Sequence, residues 1–235
     1  ERRFELRLEA MLEECDVSPR VFEGVTDRLR EFVEPFAASL KQPVQRVRVA
    51  EYLSGLVSDL ERKNVESIAY RLDQDRRNLQ HFIGTAEWDQ APLFLELARQ
   101  VGQELGEEDA VIVFDPAGFP KQGRQSVGVK RQWCGRLGKV ENCQVAIYMA
   151  YVSRKDHVLV NTRLYLPEDW AKDRKRRKAA GVPKEVKFQT RHQLALEMLE
   201  EHGALLPHGW IAGDDEMGKV AWFRRALHEQ QERYV

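Results

Sequence analysis

The sequence predicts an α+β protein, a helical N-terminal domain over residues 1–105 followed by a mixed-sheet domain over residues 106–235. Three observations carry this prediction. Up to Leu105 the apolar residues recur at three-to-four spacing, the period of helices with one buried face. Beyond Gly106 they gather into short, β-branched-rich runs bounded by turn residues, the pattern of strands. Two of those runs, Ala110–Phe114 and Trp210–Gly213, lead straight into aspartates: Asp115 in one case, Asp214 and Asp215 in the other. At 235 residues either one large domain or two small ones can bury an ample core.

In the helical part, Phe4, Leu8, Met11 and Leu12 begin a stripe that Val21, Val25, Leu29, Phe32, Val33 and Phe36 continue. Pro43 suits the first turn of a helix, where its missing N–H is no loss, and Val44, Val47, Tyr52, Leu53, Leu56, Val57 and Leu60 follow it. Asn64 is placed to cap a helix carrying Val65, Ile68, Ala69 and Leu72. Leu79, Phe82 and Ile83 mark a shorter helix. Asp89 caps the last one, with Leu93, Leu97, Val101 and Leu105 one turn apart and Gly106 ending it. These stripes are core positions rather than a cofactor site.

The strand part opens with Val111–Phe114 and a Gly-rich loop holding Gly118, Gly123, Gly128, Gly135 and Gly138. Gln144–Val152 and Val158–Leu166 flank the charged turn Ser153–His157 and predict an antiparallel pair. A basic run from Lys172 to Lys178 precedes Gly181-Val182-Pro183. A helix follows with Leu194, Leu196, Met198 and Leu199, then the strand at Trp210 and a helix from Val220 to Glu232. Strand, strand, strand, helix, strand, helix is the order of a ribonuclease H-like core. In that arrangement the first and fourth strands are neighbours, which brings Asp115 beside Asp214. A single strand-end aspartate more often opens a turn or caps a helix. Two that converge in basic surroundings point instead to a divalent-metal site.

Apolar residues make up 43% of the chain and charged residues 32%, an ordinary soluble composition. No apolar stretch nears the roughly 20 residues of a membrane span, and the first residues lack a signal pattern, so the default location is cytosolic. Cys15, Cys134 and Cys143 form no CxxC pair, and the six histidines (His81, His157, His192, His202, His208, His228) show no ligand or triad spacing, so both sets are read as structural. The chain begins without Met inside a helical pattern and ends at Arg233-Tyr234-Val235 like the start of another strand, which predicts a fragment of a longer protein. The net charge of −1 hides a division: residues 116–191 hold 18 Lys+Arg against 6 Asp+Glu, leaving 19 against 32 elsewhere. A local excess of that size predicts a polyanion partner, nucleic acid first among them.

The residues also resemble a known family, the DDE-superfamily transposases of bacterial insertion sequences, and most closely the insertion sequence 701 family. The resemblance covers most of the chain. It includes Tyr52-Leu53-Ser54-Gly55-Leu56, Glu61 to Ala69, Leu79-Gln80-His81-Phe82 and Trp88-Asp89. Its most specific part runs from Phe114-Asp115-Pro116-Ala117-Gly118-Phe119-Pro120-Lys121-Gln122-Gly123 through the Gly-rich basic stretch Ser126 to Lys139. Asn142-Cys143-Gln144-Val145, Arg163 to Pro167 with Trp170, and Gly181-Val182-Pro183 complete it. The resemblance implies that Asp115 and Asp214 are catalytic acids and metal ligands, with Asp215 an alternative to Asp214, and that a glutamate beyond Val235 is the third. Glu229 and Glu232 sit on a helix directly after the fourth strand, which is not where this fold supplies its last ligand. It also implies Mg²⁺, with Mn²⁺ as a substitute, double-stranded DNA as substrate, a homodimer on DNA and a place at the bacterial nucleoid.

In-line displacement at a DNA phosphate needs hard oxygen ligands for two cations, and Asp115 on a central strand suits a bridging role. The loop cations Lys121, Arg124, Lys130, Arg131, Arg136 and Lys139, together with Arg174, Arg176 and Arg177, are the expected phosphate contacts. Trp133, interleaved among them, suits either base stacking or the core. A DNA transposase is the leading function. A non-catalytic DNA-binding remnant or repressor is the alternative, and a structure-specific repair nuclease a weaker third.

Overall fold

A computed structural model describes residues 23–235. The apolar positions Phe4, Leu8, Met11, Leu12 and Val21, with Cys15, lie outside the described residues. The chain forms two compact units that meet in sequence at Leu93 and Phe94.

The first unit contains α1 (Val25–Ser39), α2 (Pro43–Leu56), α3 (Val65–Arg71) and α4 (Arg76–Gly84). Pro43 opens α2, and Asn64 caps α3 by accepting a hydrogen bond from Ser67 N at 2.9 Å, as the residue types demand. Ile68, Ala69 and Leu79 are fully buried, with Tyr52, Leu56 and Leu72 packed around them. Gly55 is required there, since a Cβ on it would lie 2.3 Å from Ile68 Cγ2.

The second unit begins within α5 (Ala91–Glu104), whose Ala98 and Val101 belong to the core of the sheet. Apolar periodicity groups this helix with those before it, but its packing groups it with the strands after it. The sheet contains β1 (Val111–Pro120), β2 (Lys130–Cys134), β3 (Lys139–Val152), β4 (His157–Leu164) and β5 (Trp210–Gly213). β3 is antiparallel to β1, β2 and β4, and β5 is parallel to β1. Cys143 pairs with Pro120 of β1 and Lys130 of β2, so β2 and β4 share the side of β3 away from β1. The central order β4-β3-β1-β5 is the ribonuclease H-like arrangement.

The strands depart from the sequence prediction in several places: β3 starts at Lys139 rather than Gln144, and β4 runs from His157 to Leu164 rather than from Val158 to Leu166. β1 does not stop at Asp115 but runs on to Pro120, paired with β3 alone after β5 ends at Gly213. One free edge is what allows Pro116 and Pro120 inside a strand. The predicted Gly-rich loop also contains β2, a five-residue strand followed by a 3₁₀ turn over Gly135–Leu137.

α6 (Glu168–Lys172) ends at the first residue of the basic run, and α7 (Arg174–Ala179) holds the rest after Asp173; α8 (Arg191–His202), α9 (Asp215–Gly218) and α10 (Ala221–Glu229) follow. Ile112, Phe114, Ile147, Met149 and Ile211 of the sheet pack with Met198 of α8 and Phe223 and Leu227 of α10. Burying each such side chain contributes about 1.5–3 kcal/mol. Arg233–Val235 continue the sheet past β5: Ile211 N donates to Arg233 O at 2.7 Å, and Val235 N to Ile211 O at 3.0 Å. The strand-like reading of these last residues thus has a partner in β5.

Candidate active site

The site is built by the parallel pair β1–β5. Its last pairing joins Phe114 to Gly213, so the next residues of the two strands, Asp115 and Asp214, emerge side by side. Strand alternation buries Ile112 and Phe114 in the core and turns Asp115 to the other face. Gly213 lets the chain turn tightly into α9, because a Cβ there would lie 2.8 Å from Met217 Cβ. Asp214 then caps α9, its Oδ1 accepting from Met217 N at 2.9 Å. The helix-cap reading of this aspartate is therefore met by one oxygen, and the residue also lines the cleft.

That cleft, about 320 Å³, is lined by Asp115, Asp214, Glu216, Arg191, Arg136, Trp133 and Phe119 among others. Asp115 is open to solvent at its mouth, yet partial desolvation between the walls, reinforced by the charges of Asp214 and Glu216, holds its carboxyl above the usual carboxylate range. Asp215 does not line the cleft; it is largely exposed and pairs with Lys219. Glu229 and Glu232 are also absent from the lining, and Glu232 bonds His208 Nε2 at 3.1 Å. Among the described residues no three His, Cys, Asp or Glu side chains come together in a geometry that would hold a metal ion. Glu216 is near the two aspartates but is ion-paired with Arg191.

Arg191 and Glu216 were not singled out from the sequence. Arg191 begins α8 behind the Thr190 cap, and Glu216 lies in the four-residue α9. Only the cap was a visible signal. Trp133, 55% exposed, is not a core residue and lines the cleft. None of the six histidines lines the cleft, and Cys134 and Cys143 are free and buried.

The predicted cations divide into two groups. Lys121, Arg124, Arg136 and Arg174 are exposed, and among the described residues their side chains have no hydrogen-bond or ion-pair partner. Lys130 pairs with Asp169 at 3.1 Å, while Arg131 and Lys139 lie 3.6 and 3.3 Å from Glu141, all at the surface. Arg176 and Arg177, expected at DNA phosphates, instead turn toward the protein. The Arg176 guanidinium stacks 3.7 Å from the centre of the buried Trp170 ring and donates to Arg124 O at 2.9 Å and Val129 O at 3.3 Å. Arg177 donates to Ala171 O, Pro183 O and Val186 O at 3.2, 2.7 and 2.6 Å.

These bonds belong to a wider pattern. Asn142 Nδ2 donates to Lys121 O and Gly123 O, both at 2.7 Å; Gln144 Nε2 donates to Val127 O at 2.5 Å, and Trp170 Nε1 to Val129 O at 2.8 Å. The 121–129 loop is held by side chains aimed at its carbonyls, while Lys121 and Arg124 point outward. Gly128 sits in this frame at φ 77°, where an added Cβ would lie 2.8 Å from Tyr165 O.

Comparison with known proteins gives the chain a family. The family model described as DDE superfamily endonuclease matches residues 35–235. A probable transposase for insertion sequence element IS701 from Microchaete diplosiphon is 34% identical over 111 residues, covering 46% of this chain and 29% of that protein's length. Among solved structures, the Mos1 strand transfer complex matches with 12% identity and a TM-score of 0.28 over 79% of this chain and 56% of that one. The Mos1 transposase paired-end complex with left transposon end matches with 11% identity and a TM-score of 0.28 over 79% and 57%. At those scores the structural likeness carries no argument, whereas the family match spans most of the sequence: the chain belongs to the DDE superfamily of endonucleases.

Proposed function

We propose that this chain is part of a DNA transposase that cleaves and joins strands at transposon ends, with Asp115 and Asp214 as its first two catalytic acids. The observation that carries the reading is the pairing of Phe114 with Gly213, which sets the two carboxylates together in an open cleft on a rigid sheet. The donor set suits Mg²⁺ or Mn²⁺: two hard oxygen donors lie side by side, and the Asp115 carboxyl is raised first by partial burial and then by the charges of Asp214 and Glu216, which a cation would offset. A divalent ion held by Asp115 and Asp214 would supply activation of a water or 3′-hydroxyl for attack at phosphorus and charge neutralisation on the leaving oxygen.

The chain's own residues do the rest. Asp115, on the central strand, and Asp214, fixed by its cap to α9, would be the residues that hold the cation. Lys121, Arg124, Arg136 and Arg174 are open for phosphates of double-stranded DNA, with Lys130, Arg131 and Lys139 as further surface cations. Trp133 presents an exposed ring beside the reacting position. The helical first unit adds DNA affinity, and the protein acts as a homodimer on DNA.

Two carboxylates are too few to fix two ions, so a third acid, a glutamate, is needed besides the pair the described residues supply. The 235-residue chain is accordingly expected to bind DNA without cutting it. The test is a gel shift together with Mg²⁺- or Mn²⁺-dependent nicking of supercoiled plasmid, run beside Asp115→Ala. A shift without nicking is the expected result. No DNA binding would overturn the reading, and nicking abolished by Asp115→Ala would place a third ligand within the chain, Glu216 being the first to examine.

A further inference from the structure

We propose that Arg191 is the fixed phosphate contact of the acidic cleft, held ready by Glu216 and Tyr165. The inference rests on the reading that this cleft takes a DNA strand. A phosphodiester approaching Asp115 and Asp214 meets charge of its own sign, so the cleft needs a cation beside the aspartates. Two cations line it. Arg136 is exposed on the short 3₁₀ turn and would lose freedom on binding.

Arg191 is already ordered. It is the first residue of α8, behind a capping box in which Thr190 N donates to Gln193 Oε1 at 2.8 Å and Gln193 N donates to Thr190 Oγ1 at 3.2 Å. Its guanidinium lies 5.1 Å from the centre of the Tyr165 ring, and its side chain is only 17% exposed. Its ion-pair partner, Glu216, is 41% exposed and engages one nitrogen, Nη1. A guanidinium carries five N–H donors in a planar fork matched to phosphate, so a ring-stacked arginine with one nitrogen engaged can accept a phosphate without being rebuilt. The Glu216 carboxylate neutralises the arginine until that phosphate competes for it. A purely structural bond between α8 and α9 would need neither the ring stack nor a place in the wall of the cleft.

The experiment is DNA binding by fluorescence anisotropy across a salt series in EDTA, with thermal melting, for the wild type, Arg191→Gln, Arg191→Lys, Glu216→Gln and the Arg191→Gln/Glu216→Gln double variant. Loss of one phosphate contact lowers the log–log salt slope by about 0.9 and weakens binding roughly tenfold near 0.1 M salt. Arg191→Gln should show both effects, Arg191→Lys should recover most of the slope, and Glu216→Gln should tighten binding several-fold only when Arg191 is present. Wild-type affinity and slope in Arg191→Gln would overturn the assignment alone, as would an equal gain from Glu216→Gln with and without Arg191. If Arg191→Gln fails to fold, unchanged or weaker binding by Glu216→Gln would also overturn it. A wild-type protein that does not bind DNA would overturn the reading of the cleft, and this assignment with it.

Discussion

In the proposed function Asp115 combines two roles that oppose each other. Its carboxyl is raised by partial desolvation and by Asp214 and Glu216, so the folded protein favours the protonated form more than the unfolded chain does. For an acid raised in this way, the native state loses stability as pH climbs from the ordinary carboxylate range through the raised value. Below that window the penalty is absent. Metal ligation runs the other way, because only the ionised carboxylate coordinates, so affinity for a divalent ion should rise through the same window. In metal-free buffer at neutral pH, Asp115→Asn should therefore melt about 1–2 °C above the wild type, a small gain because the group is solvent-accessible and screened. Added Mn²⁺ should raise the wild-type Tm and leave that of Asp115→Asn unchanged. A lower Tm for the variant in EDTA would mean that Asp115 stabilises the fold rather than straining it.

The pair β1–β5 and the turn after it set the geometry of the cleft at the level of elements. Gly213→Ala should push Met217, and with it the Asp214 cap, by several tenths of an ångström. Overpacking of this kind costs about 1–3 kcal/mol. The expected result is a folded protein with a Tm a few degrees lower and clearly weaker Mn²⁺ binding, read by melting and calorimetry; undiminished metal affinity would show that Asp214 does not depend on this turn. The meeting of these strands was legible in the sequence because each is a short apolar run ending at an aspartate and the order of elements makes them neighbours. β2 was not, since Lys130–Cys134 has no apolar alternation and its Trp133 faces solvent. The roles of Arg176 and Arg177 were hidden for a different reason. A charge run shows how many cations there are, but not which of them meet loop carbonyls once Trp170 is buried beneath them. Arg191 and Glu216 meet only through the separate placement of α8 and α9, a relation that residue spacing does not encode.

For the whole molecule, residues 116–191 hold 18 basic against 6 acidic residues and contribute Arg136 and Arg191 to a cleft that also holds Asp115, Asp214 and Glu216. In the proposed function that contrast would have a physical use: the cations would draw a polyanion toward carboxylates able to hold a divalent ion. Arg176 serves the arrangement indirectly by holding the loop that presents Lys121 and Arg124, while Arg177 ties down the 183–186 segment. The family match spans residues 35–235, and the register of β1 and β5 sets Asp115 beside Asp214, the pair proposed as the reacting centre. The most direct measurement is calorimetric titration of Mn²⁺ into the wild type, Asp115→Asn, Asp214→Asn and Asp215→Asn. Binding by the wild type and Asp215→Asn, with loss in the other two, is the predicted result. Retention by Asp214→Asn with loss in Asp215→Asn, or wild-type binding by Asp115→Asn, would contradict it.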